Sequence, residues 1–88
     1  GAFRITLAPR GPCWVSMRVN GEQVFSGLMN AGETRDIDAR GTVMLTAGDA
    51  GVFAFAINGV QGRTLGGSGQ VVTVVLTPQN YAKYLLPQ

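Results

Sequence analysis

At 88 residues the chain has room for a single hydrophobic core, and 45% apolar against 14% charged residues excludes a disordered tail. Its net charge of +2 comes from seven basic residues and five acids scattered along the chain, not from the basic patch that nucleic-acid binders use. Cys13 is the lone cysteine, which excludes an internal disulfide and a cysteine-built metal cage.

Gly1-Ala2 reads as a cloning remnant, so the natural chain is expected to extend upstream, and the lack of a targeting signal carries no information about location. No run of about 18 apolar residues offers a membrane-spanning helix.

Strand signals run from Phe3 to Leu76. "FRITLA" alternates Phe3, Ile5 and Leu7 with Arg4 and Thr6, the two-residue period of a half-buried strand. "CWVSMRV" and "EQVFSGL" flank Asn20-Gly21, a two-residue hairpin signal whose type I′ turn needs positive φ at both positions. That turn predicts Val19 opposite Glu22, Met17 opposite Val24 and Val15 opposite Ser26. Val15, Met17, Val24 and Leu28 then form the core face, with Cys13 a small buried hydrophobe beside them. Trp14 and Phe25 become diagonal neighbours on the second face.

"TRDID", with only Ile37 apolar, reads as a polar edge strand. "TVMLTA" follows, and "GDAG" turns into "VFAFAI". There Phe53, Phe55 and Ile57 point one way and Val52, Ala54 and Ala56 the other, as in a central strand. Asn58-Gly59 repeats the hairpin signal, "LGGSG" is a loop, and "QVVTVVL" is the last strand. Seven or eight short strands with turns between them predict an all-β, immunoglobulin-like antiparallel sandwich over residues 3–76. In the tail, residues 77–88, Thr77 as N-cap, Pro78 at the first position and Pro87 as a stop predict a short helix. Tyr81, Tyr84 and Leu85 share its face.

Histidine is absent, which removes the usual general base and the commonest metal ligand. Ser16, Ser26, Ser68 and Cys13 therefore lack the partner that activates a nucleophile. Asp36 and Asp38 share a strand face about 7 Å apart, a spacing compatible with glycoside hydrolysis. Two solvated acids guarding an edge strand is the preferred reading. "GGSGQ" lacks the Lys-Ser/Thr end of a phosphate loop and leads into a strand. No cofactor or metal site is expected, and no catalytic residue. Trp14 and Phe25, rimmed by Arg18 and Gln23, are the candidate partner-binding residues, an aromatic patch for a protein or a sugar ring. Cover of that patch by the tail helix or by a neighbouring strand is the competing reading, and the favoured one.

The turns and strands together resemble one family. Trp14-Val15, Asn20-Gly21, Ala31-Gly32-Glu33, Gly48-Asp49-Ala50-Gly51 and Asn58-Gly59, in this order and spacing, are similar to the C-terminal β-domain of RodZ-type bacterial cell-shape proteins. The resemblance implies a non-enzymatic sandwich on the periplasmic, outer side of the bacterial inner membrane. The parent would be a single-pass membrane protein whose cytoplasmic helix-turn-helix contacts the actin-like protein MreB and whose outer domain faces membrane-bound wall-synthesis proteins. Neither the helix-turn-helix nor the membrane helix has a counterpart here. A carbohydrate-binding module using Trp14 on peptidoglycan is the alternative, and a hydrolase using Asp36 and Asp38 a remote third.

Overall fold

The computed structural model describes residues 2–87; Gly1, half of the suspected cloning remnant, and Gln88, the end of the tail, lie outside the described residues. Strict alternation makes strand β1, Ala2–Leu7, bury Phe3, Ile5 and Leu7 on one side. The others follow as β2 (Cys13–Val19), β3 (Glu22–Met29), β4 (Arg35–Arg40), β5 (Val43–Ala47), β6 (Phe55–Ile57), β7 (Val60–Gln61) and β8 (Val72–Leu76). They form two four-stranded antiparallel sheets, ordered β4-β1-β6-β7 and β3-β2-β5-β8. The inner faces close on Ile5, Leu7, Phe55 and Ile57 from the first sheet and Val15, Met17, Val43, Leu45 and Leu76 from the second. The fold is the all-β sandwich that the alternation predicts.

Both hairpin signals hold. Asn20 and Gly21 adopt φ of 51° and 82°, and Asn58 and Gly59 adopt 52° and 82°, the paired positive values of a type I′ turn. β4 is an edge strand, as its polarity predicts. β6 lies between β1 and β7, so the apolar run does supply a central strand, though only Phe55–Ile57 of it is regular.

The β2–β3 register departs from expectation. Val19 faces Glu22 and Arg18 faces Gln23, but a bulge follows, and Met17 then faces Phe25, Val15 faces Gly27 and Cys13 faces Met29. The extra residue is Val24. A bulge flips every later residue of its strand to the other face, so Val24 and Leu28 are not in the core but 45% and 58% exposed. The physical reason lies in what each register buries. Without the bulge Val24, Ser26 and Leu28 would face inward, sealing the Ser26 hydroxyl opposite Val15 at about 1–3 kcal/mol if unpaired. With it, the inward residues are Phe25, Gly27 and Met29, which carry no polar side-chain atom.

The tail also differs from expectation. Its helix is a four-residue 3₁₀ turn, Tyr81–Tyr84. A reciprocal pair of hydrogen bonds starts it: Asn80 N–H donates to Thr77 Oγ1 and Thr77 N–H to Asn80 Oδ1. Tyr81 stacks on Phe3 with ring centroids 5.2 Å apart. Leu86 N–H then donates to the Gln61 carbonyl and Arg63 N–H to that of Tyr84, with a bridge between Gly62 and Leu85. The chain end thus straps the β7 edge, on the sheet opposite Trp14. Half-burial of Tyr81, Tyr84 and Leu85 is worth about 1 kcal/mol each. Removing residues 78–88 is therefore expected to lower the urea midpoint while leaving Trp14 emission unchanged. A red-shifted indole with little loss of stability would place the tail on Trp14 instead.

Candidate functional site: the outer face of the β3-β2-β5-β8 sheet

Registers across three strand pairs arrange the solvent face of this sheet into rows. In the first, Leu28 faces Trp14, and Trp14 accepts a 2.7 Å hydrogen bond from Gly48 N–H. The β5–β8 register, extended by one residue, sets Val71 opposite Gly48. In the second, Ser26 faces Ser16, Ser16 faces Thr46 and Thr46 faces Thr73. The Thr46 and Thr73 hydroxyls lie 3.0 Å apart. In the third, Arg18 faces Met44, which faces Val75. A band of hydroxyls therefore crosses all four strands, between an apolar row and a row in which Met44 and Val75 follow Arg18, the single charge of the three rows.

Trp14 is 52% and Val71 66% exposed, and Leu28, Met44 and Val75 are exposed as well. Single exposed hydrophobes are ordinary, but contiguous ones mark a contact surface. Gly48 contributes by omission: a Cβ there would stand 3.2 Å from the Trp14 Cβ, so glycine lets the indole lie beside β5.

Of the predicted site residues, Trp14 and Arg18 lie on this face, and Gln23 pairs with Arg18 at its rim. Phe25 does not join them. The bulge turns it to the core side, where it packs half-buried against the core cluster. There the Arg35 guanidinium sits 4.3 Å from its ring centroid. Val71 and Val75 escape sequence reading, since continuous apolarity in "QVVTVVL" hides which side faces water, and Leu28 was expected on the core face instead. Among the described residues the tail packs on Phe3 and the β7 edge of the other sheet, and Asn80 reaches the Val75 carbonyl at the edge of this one.

Elsewhere several polar side chains hold the fold together. Asp36 accepts a 2.7 Å hydrogen bond from the Thr6 hydroxyl, and Asp38 pairs with Arg4 Nε at 3.1 Å. Both acids are exposed on the β4 edge, where charge discourages further strand pairing. Asp49 Oδ1 accepts from Gly51 N–H and Gly69 N–H, tying two loops together. Cys13 is buried. Among the described residues no cluster of three His, Cys, Asp or Glu could hold a metal ion, and no helix is long and apolar enough to cross a membrane.

The chain is a small antiparallel sandwich with one exposed apolar and hydroxyl face. The sequence model of the RodZ C-terminal domain matches residues 6–75, and the chain belongs to that family. None of the curated proteins compared, and none of the solved structures, matches it.

Proposed function

We propose that this chain is the extracytoplasmic interaction domain of a RodZ-like inner-membrane protein. It works without catalysis, as a rigid scaffold that presents the Trp14 face to membrane-bound wall-synthesis proteins. Through the parent chain it links the MreB cytoskeleton to wall growth and cell shape. Family membership supports the parentage. The observation that carries the role is the nearly uncharged outer face on which Leu28, Trp14, Met44, Val71 and Val75 stand exposed about a row of hydroxyls.

The test is shape restoration. A rod-forming bacterium lacking its own RodZ receives the membrane-anchored cytoplasmic part of RodZ, with or without this domain as its outer part. Rods are expected with the domain and not with its Trp14→Ser/Leu28→Ser form, provided that form melts at the unchanged temperature. Equal restoration by the anchor alone would contradict the proposal.

One observation favours a second reading: an exposed indole on a flat sheet beside a row of hydroxyls suits stacking against a sugar ring. On that reading, soluble peptidoglycan fragments shift Trp14 fluorescence saturably. Under the scaffold reading the titration stays flat.

A further inference from the structure

The sandwich has four edge strands, and three are closed to further pairing. β4 carries Arg35, Asp36, Asp38 and Arg40, the charges that blunt an edge. β7 is strapped by the tail. β3 is broken by its bulge and carries Glu22. β8 differs, being five residues of Val, Thr and Leu with neither charge nor proline, paired on one side only.

Alternate residues of a strand turn their backbone groups to the same side. Asn80 meets the Val75 carbonyl through Nδ2 and the Thr77 N–H through Oδ1, which identifies Val71, Thr73 and Val75 as the residues facing away from β5. By the same alternation Thr73 N–H and C=O point away from β5, toward the open side of the sheet.

We infer that β8 pairs antiparallel with β8 of a second copy of this chain, about a twofold axis at Thr73. In this register Thr73 faces Thr73 of the second copy and exchanges both backbone hydrogen bonds with it. Val71 faces Val75 on the outer side, and Val72 faces Val74 on the core side. The Val75 carbonyl, already accepting from Asn80, keeps a second lone pair for the new strand.

Three features select a second copy. The strand has no charge to oppose itself. The outward triplet Val71-Thr73-Val75 reads the same in both directions, so hydroxyl row continues into hydroxyl row and apolar row into apolar row across the axis. A register centred on Val74 would instead set Thr73 against Val75 and break both rows. Val72 and Val74, half-buried at the inner lip of the edge, would also gain cover. The contact leaves the Trp14 face open and doubles its extent. It stands independently of the cellular role proposed above.

An edge contact of about five residues a side falls in the small, weak class of interfaces, so the test is run at high concentration. Sedimentation equilibrium of the 88-residue chain should show reversible dimerisation below about 1 mM. Thr73→Lys alone and Thr73→Glu alone place like charges face to face on the axis and should both be monomeric, with melting temperatures confirming the fold. Their equimolar mixture should recover the dimer as a one-to-one heterodimer. A wild-type chain that stays monomeric, variants that dimerise as the wild type does, or a mixture that stays monomeric would each overturn the inference.

Discussion

Gly62→Ala is expected to cost about 2–3 kcal/mol of folding stability, the range of an overpacked core. Gly62 is buried in the turn after β7, and a Cβ there would fall on the ring of Phe55. Its φ is not positive, so the penalty is steric. The ring has little room to yield, because Phe55 is 2% exposed and stacks on Phe53 with centroids 5.7 Å apart. Nor can the backbone withdraw easily, since Gly62 N–H donates to the Phe55 carbonyl at 2.8 Å and Gly62 bridges to Leu85 in the tail. A chain of this size has roughly 4–13 kcal/mol in total, so the loss is a large fraction. Phe55→Leu alone costs about 1–2 kcal/mol for the smaller buried side chain. It also opens the space that a Gly62 methyl needs. The double variant is therefore expected to be more stable than the sum of the singles by about 1 kcal/mol or more. Urea midpoints of the four proteins measure this coupling; strict additivity would show that the Phe55 ring does not lie against Gly62.

Asn20→Ala is expected to remove about 2 kcal/mol, and Asn20→Gly about half of that. The comparison separates two roles of one residue. Asn20 adopts φ of 51°, which asparagine tolerates, glycine adopts freely and alanine resists. Its side chain also joins the hairpin tip to the β4–β5 connection: Nδ2 donates to the Arg40 carbonyl at 2.9 Å and Oδ1 accepts from Thr42 N–H at 3.0 Å. Glycine loses the clamp alone, whereas alanine loses the clamp and gains backbone strain. Asn58 repeats the device. Its N–H donates to the Arg4 carbonyl, its Oδ1 accepts from Arg4 N–H, and its Nδ2 donates to the Tyr81 hydroxyl. The same order, alanine worse than glycine worse than wild type, is expected at position 58. Equal losses for alanine and glycine would mean that the turn conformation carries no strain.

What sequence reading recovered, and what it missed, divides by the range of the interaction involved. The Asn20-Gly21 and Asn58-Gly59 turns are local, written in residues that accept positive φ. The inward alternation of Phe3, Ile5 and Leu7 and the polar edge at Arg35–Arg40 are also properties of single strands. The clamps made by the Asn20 and Asn58 side chains needed the position of a third strand. The face of β3 was misassigned because Val24 and Leu28, or Phe25 and Met29, make equally good apolar alternations. Only the cost of burying Ser26 separates the two, and it acts through the bulge. The tail could not be placed from its own residues, since its site is defined by Phe3, Gln61 and Gly62. Trp14 and Arg18 lie exposed on the outer face, although cover of Trp14 was the favoured expectation. The companions of Trp14 proved to be Leu28, Met44, Val71 and Val75, rather than Phe25. That grid depends on three registers at once.

If the domain meets its partners through the Trp14 face, as proposed, that face carries the contacts in the cell. Photo-crosslinking in living cells tests it most directly. A photoreactive amino acid is placed singly at Leu28, Met44 or Val75, and at Thr6, Asp36 or Ala56 on the outer face of the other sheet, within the membrane-anchored protein. Adducts with membrane-bound wall-synthesis proteins are expected from the first three positions and none from the last three. The reverse pattern would contradict the proposal.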